Sequence, residues 1–385
     1  VPYVGYGQAL LLNGALSQQV FVPTPFLSLY STSFTIEAWI YSTTLTGDRG
    51  IFGQCQCSTC QNQCFFFICR NNRLYVGFTL NDLSGNITMA VNTWYHVAFV
   101  YNSQTQQQIL YLNGVQDTIN NNVPAYQGRN GSIQIGSTEV YSATNYFTGY
   151  IDNVMVTTRA KSSVEILRDA SVVVYYSFDL PNSNADSGPN HLNGTSNNTV
   201  TTNGRVNQAM RFTGFQSNFQ VYGLYQVPYG VVTNKPFSVS MWINPTSTFS
   251  STFVQTFASS LALASCVNLL GIYSPANVIG QLFVLSSTGG PSVITGPFVA
   301  QNTWSHVSVT YSTQNGYTLY YNGIYVGATG NIVYTNSITF AYLLIGYSTT
   351  CTSASINAGY QGSIDELYVH SRELTQSDVT ALANP

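Results

Sequence analysis

Apolar and polar residues alternate along much of this chain in short runs, the period-two pattern of strands with one buried face. The clearest run is Asn92–Gly114, NTWYHVAFVYNSQTQQQILYLNG, and its grammar returns at Asn302–Gly323 as NTWSHVSVTYSTQNGYTLYYNG. Alternation places Val97, Phe99 and Tyr101 on a core face, with Val307, Val309 and Tyr311 in the matching positions. Trp94, His96, Ala98 and Val100 then point the other way, as do Trp304, His306, Ser308 and Thr310, and this second face is expected to be only partly covered. Asn113-Gly114 and Asn322-Gly323 supply the positive φ values of a type I′ hairpin turn, so each copy continues into a further strand.

The repetition extends along the chain. Gln8-Ala9 matches Gln208-Ala209, Trp39 matches Trp242, Trp94 matches Trp304, and GYIDNVMV (149–156) matches GSIDELYV (362–369). Two domains follow, 1–170 and 171–385. Between the anchors lie further strand-like segments, among them Phe34–Tyr41, Leu74–Leu80, Phe237–Ile243 and Ile338–Ile345. Helix is confined to the end of each copy. Lys161–Ala170 carries Ser162 and Glu165 at capping-box spacing, and Thr375–Asn384 opens with Thr375 and Asp378 at the same spacing.

The order Gln-Ala, F-[ST]-x-x-x-W, W-x-H-V, Y-x-N-G and G-x-I-D, closed by a short capped helix, resembles the laminin-G-like, concanavalin A-like jelly-roll family in both copies. The resemblance implies an all-β fold of two tandem sandwiches, each made of two antiparallel sheets packed face to face. It also implies that the strand opening each domain lies against the late G-x-I-D strand. The second copy has such a strand in VVVYYSF (172–178), but the first reaches Gln8 without an equivalent of residues 172–200. A strand position left empty beside Gly149–Val156 exposes backbone N–H and C=O groups, which natural sheets avoid. A strand from another copy is expected there, from Val1–Gly7 or from the chain end near Pro385. Head-to-tail repetition of that contact builds a filament.

The resemblance admits one cofactor, calcium, near the junction of first and last strands, with Asp152, Asp365 and Asp179 as ligands. The alternative is that these aspartates accept backbone N–H bonds. Glycanases on this fold carry alternating carboxylates on one strand, about 5–5.5 Å apart in retaining enzymes. No such run occurs among the 14 Asp and Glu, so the chain is read as non-catalytic.

Composition narrows the setting. Charged residues are 6% of the chain, against roughly 25% in an average soluble protein, and the net charge is −3. Without a basic cluster, nucleic acid is excluded as a partner, and no apolar run is long enough for a membrane-spanning helix. Val1 opens no signal-peptide pattern, so the chain reads as mature protein. Cys266 and Cys351 are expected to pair, and two bridges are expected among Cys55, Cys57, Cys60, Cys64 and Cys69. A zinc site is the weaker reading of that cluster, because no histidine lies near it. The odd thiol stays free or bonds another chain. Sequons at Asn86, Asn130, Asn193 and Asn197, together with disulfides, point to a secreted glycoprotein. The 28 Tyr and 21 Phe mostly fill strand positions, although a few converging rings would suit a sugar. The function read from these features is a secreted structural protein that self-assembles by strand donation into an extracellular fibre or sheath. The alternative is a monomeric carbohydrate-binding or adhesion module.

Overall fold

The computed structural model describes residues 8–23, 27–141, 143–214, 216–224, 227, 228, 230, 234–258, 266–274, 280–285, 293–334, 341–348 and 359–384. The described residues fall into two compact units, meeting in sequence between Ser171 and Val172. The first contains β1 (Leu10–Leu12), β2 (Val20–Val22), β3 (Phe34–Ser42), β4 (Asp48–Cys55), β5 (Cys64–Arg70), β6 (Arg73–Gly77), β7 (Asp82–Ser84), β8 (Trp94–Asn102), β9 (Gln107–Leu112), β10 (Val115–Asn120), β11 (Ile133–Ile135), β12 (Ser137–Val140), β13 (Ala143–Tyr146) and β14 (Gly149–Thr157), followed by α1 (Ser163–Ser171). The second contains β15 (Val172–Tyr176), β16 (Thr195–Asn197), β17 (Thr199–Asn203), β18 (Gln208–Thr213), β19 (Asn218–Leu224), β20 (Phe237–Pro245), β21 (Ser251–Ala258), β22 (Cys266–Tyr273), β23 (Gln281–Leu285), β24 (Val293–Phe298), β25 (Ser305–Ser312), β26 (Gly316–Tyr321), β27 (Ile324–Ala328), β28 (Ala341–Ile345) and β29 (Gln361–His370), closed by α2 (Gln376–Leu382).

Each unit is a sandwich of two antiparallel sheets with the same strand order. In the first unit the sheets run β1-β14-β3-β8-β9-β10 and β2-β11-β4-β5-β6-β7; in the second, β18-β29-β20-β25-β26-β27 and β19-β28-β21-β22-β23-β24. The second unit adds β17 beside β18, β16 beside β19 and β15 against β29, while the first adds the β12–β13 hairpin. The alternating residues meet between the sheets. Phe34, Ile36, Phe65, Phe67, Val97, Phe99 and Tyr101 form one core, and Val239, Met241, Leu270, Val307, Val309 and Tyr311 belong to the other. Asn113 and Gly114 have φ of 50° and 80°, and Asn322 and Gly323 have 49° and 77°, as the hairpin spacing required.

The second face of β8 is more closed than its sequence suggests. His96, Ala98 and Val100 are all buried, because Ile166 of α1 packs on Ala98, Val100 and Tyr111. His306, Ser308 and Thr310 are buried too, and Val379 of α2 packs with Leu374 and Tyr320. The expectation of a partly covered face holds only at the tryptophan end of each strand. Both helices start from the foreseen caps: Ser162 Oγ accepts from the Glu165 amide at 3.3 Å, and Thr375 with Asp378 forms a complete capping box. The first helix begins at Ser163 rather than Lys161, whose side chain turns inward to Glu37 and to Asp169.

The repeated motif residues have a common structural duty. The Asn113 amide donates to the His96 carbonyl at 2.7 Å while Asn113 Oδ1 accepts from the His96 amide at 3.0 Å. Asn322 and His306 repeat the exchange at 2.8 and 2.8 Å. Thr35 Oγ1 donates to the Arg159 carbonyl and accepts from the Lys161 amide, stapling the approach to α1 onto β3. Ser238 does the same with Arg372 and Leu374 before α2.

Candidate functional site

Asp365 is buried, and its Oδ2 accepts from the Arg205 and Val206 amides at 2.8 and 2.9 Å, its Oδ1 from the Glu366 amide at 2.9 Å. Burial pushes its carboxyl up to about 7, against the pull of those amides. Asp179 Oδ1 accepts from the Gln208 amide at 2.9 Å, and Asp152 Oδ1 from the Asn153 amide at 2.8 Å. Backbone N–H groups point at these oxygens, the opposite polarity to a cation. Among the described residues no group of three or more His, Cys, Asp or Glu is assembled that could hold a metal.

His96 and His306 lie edge-on to Trp39 and Trp242, with ring centroids 5.4 and 5.5 Å apart. Burial depresses both imidazoles to about 4, so they are neutral packing residues at physiological pH.

In the cysteine cluster, Cys55 bonds Cys64 and Cys57 bonds Cys60, across the β4–β5 hairpin and its tip. Cys69 is the free thiol, and it lies in the core among Phe67, Leu74 and Val76. Burial pushes it up to about 12, in keeping with the first of the two alternatives for the odd cysteine, a thiol that stays free. Cys266 is disulfide-bonded, and Cys351, its expected partner, lies outside the described residues. Asn86, Asn130, Asn193 and Asn197 are all exposed.

Two features of the first unit distinguish it from the second. One is an edge. In the second unit β15 pairs with Leu367–His370 of β29, where Tyr175 stacks on Tyr368 at 4.2 Å and donates to Glu366 at 3.0 Å. Leu367 and Val369 are then 0% and 1% exposed. The corresponding residues of β14 are Val154 and Val156, because Asp152 faces Trp39 as Asp365 faces Trp242, and a bulge follows in both strands. Among the described residues no strand pairs with this stretch on the side away from β3. Val154 and Val156 are half-buried and Met155 is 41% exposed.

The other feature is a row of apolar side chains on the outer face of β1, β14, β3 and β8. The register sets Leu11 opposite Tyr150, Tyr150 opposite Tyr41 and Tyr41 opposite Trp94. The ring centroids of Tyr41 lie 5.6 Å from Trp94 and 5.7 Å from Tyr150. All three rings are half-exposed and Leu11 is 60% exposed. The matching row of the second unit reads Arg211, Ser363 and Asn244, with Trp304 the counterpart of Trp94 in the repeated motif. Motif reading passes over this row, because Tyr150 holds the variable position of G-x-I-D and Leu11 and Tyr41 lie outside the shared residues. The signal available in sequence was the contrast between aligned copies.

Comparison with known proteins places these observations. The model of the concanavalin A-like lectin/glucanases superfamily, in its laminin-G-like form, matches residues 13–167 and 217–380. No curated protein matches the chain significantly. Among solved structures, domain 4 of AbnA, an extracellular arabinanase of Geobacillus stearothermophilus in complex with arabinotriose, is 19% identical over 55% of this chain and 98% of that one, with a TM-score of 0.41. The binding domain of Paraclostridial Mosquitocidal Protein 1 is 15% identical over 56% of this chain and 52% of its own, with a TM-score of 0.42. Domains LG4-5 of the mouse laminin alpha1 chain are 13% identical over 97% of this chain and 93% of theirs, with a TM-score of 0.32. At these identities and scores the solved structures carry no functional argument.

Proposed function

The chain belongs to the laminin-G-like family of the concanavalin A-like superfamily, and from that premise we propose that it is a secreted, non-catalytic structural protein that assembles with copies of itself by strand addition. The observation that carries this reading is the side of β14 at Val154–Thr157 that no strand among the described residues pairs with, set against the same position in the second unit, which β15 fills. An antiparallel strand with alternating apolar residues would pair the exposed backbone and bury Val154 and Val156, as β15 buries Leu367 and Val369. A contact between two different surfaces does not close on itself, so its repetition builds a filament. Secretion is supported by the two disulfides of the first unit and by the exposed sequons.

Electron microscopy of the native secreted material tests the reading. Filaments are expected, with density beside Val154–Thr157 that belongs to a different chain. Discrete single-chain particles, or a strand at that edge from the same chain, would refute it. A second reading, a carbohydrate-binding module, is favoured by one observation, the row of rings on the outer face of the first unit.

A further inference from the structure

We propose that the cluster Leu11–Tyr150–Tyr41–Trp94 is a binding site for a neutral oligosaccharide. The inference rests on the second reading above and is independent of strand addition. The register crosses four adjacent strands, and the rings of Trp94 and Tyr150 lean together beside Tyr41, their centroids 6.4 Å apart. The rings carry no charge and are tilted to one another, by 49° between Tyr41 and Trp94 and 73° between Tyr41 and Tyr150, so they offer a compact, neutral, faceted patch. A protein partner needs roughly 800 Å² on each side, far more than four half-exposed side chains can present. Sugar rings fit instead: their C–H faces lie on aromatic faces while their hydroxyls remain hydrated or reach flanking polar groups. Such groups are present beside the row, where Thr93 is exposed and Thr148 is half-exposed.

The second unit is an internal control. It builds the same sheet with Arg211, Ser363 and Asn244 at three of the four places, so the fold does not require the aromatic residues there. Their presence in the first unit alone therefore calls for a duty other than stability.

The test uses the intact chain and a panel of neutral tri- to hexasaccharides built on glucose, mannose, galactose, xylose and N-acetylglucosamine. At least one member should bind and shift tryptophan emission through Trp94. The triple variant Leu11→Arg, Tyr41→Asn, Tyr150→Ser, which writes the second unit's residues into the first, should weaken that binding about tenfold or more with little change in melting temperature. Trp94→Ala should remove the emission shift, and Trp304→Ala should leave binding intact. Binding that survives the triple variant would overturn the site while leaving a carbohydrate role standing elsewhere on the chain. Binding of no panel member would overturn both the site and the second reading. A variant that changes only the oligomeric state would reassign the row to contacts between protein chains and overturn the proposal.

Discussion

At the residue scale the fold depends on groups kept neutral by burial. His96 and His306 are held near 4 and His370 near 3, in each case first by desolvation. The unfolded chain takes up protons at these positions as pH falls through about 6.5, and the folded chain does not until its lower values are reached. Stability from these groups is therefore fully present above pH ~6.5 and lost as pH falls towards 4. Asp365, held near 7, works in the opposite sense over this interval, so urea unfolding at pH 7.5 and 4.5 reads the histidines by comparison with variants. The pair His306→Gln and His370→Gln should lose less between the two conditions, and equal losses would contradict neutral burial. Cys69 gives a second check. With its thiol pushed to about 12 inside the core, an alkylating reagent should label it only after denaturation. Rapid labelling of the native protein would place it elsewhere.

At the scale of elements, the two copies share a device that joins hairpin to helix. Gly114 needs positive φ, and a Cβ there would meet Leu167 Cα of α1 at 2.9 Å; at Gly323 it would meet Thr380 Cα of α2 at 3.2 Å. The closing helix lies directly on the turn. Gly114→Ala should cost about 2–4 kcal/mol, from left-handed strain plus displacement of the helix. Gly47 also has positive φ, but with open space around it, so Gly47→Ala should cost only about 1–2 kcal/mol. Thermal unfolding of the two variants separates the contributions, and equal losses would mean that the helix contact contributes nothing. The hairpin, its asparagine and both helix caps were legible in the sequence, because each depends on residues a few places apart. That α1 covers Ala98 and Val100 was not, since it depends on where a segment some seventy residues later returns.

For the whole molecule, the contrast between the copies carries the functional argument. The second unit covers β29 with β15, while the first leaves β14 open at the equivalent stretch among the described residues. A synthetic peptide of residues 172–178, added in excess, should occupy that edge and reduce the length of assemblies. A scrambled peptide of the same composition should not, and equal effects would argue against strand addition. Val154 and Val156 are half-exposed, whereas Leu367 and Val369 at the equivalent places are buried where β15 pairs with β29.

The sequence by itself determined what short-range periodicity and repetition encode: the strand faces, the turns, the caps and a fold built twice. Register across strands was decided only in three dimensions. Leu11, Tyr41, Trp94 and Tyr150 are scattered over 140 residues and become a continuous row because β1, β14, β3 and β8 lie side by side in one register. A shift of one residue would turn each side chain to the opposite face. The state of Cys69 was settled in the same way, by the packing of two sheets that close around it.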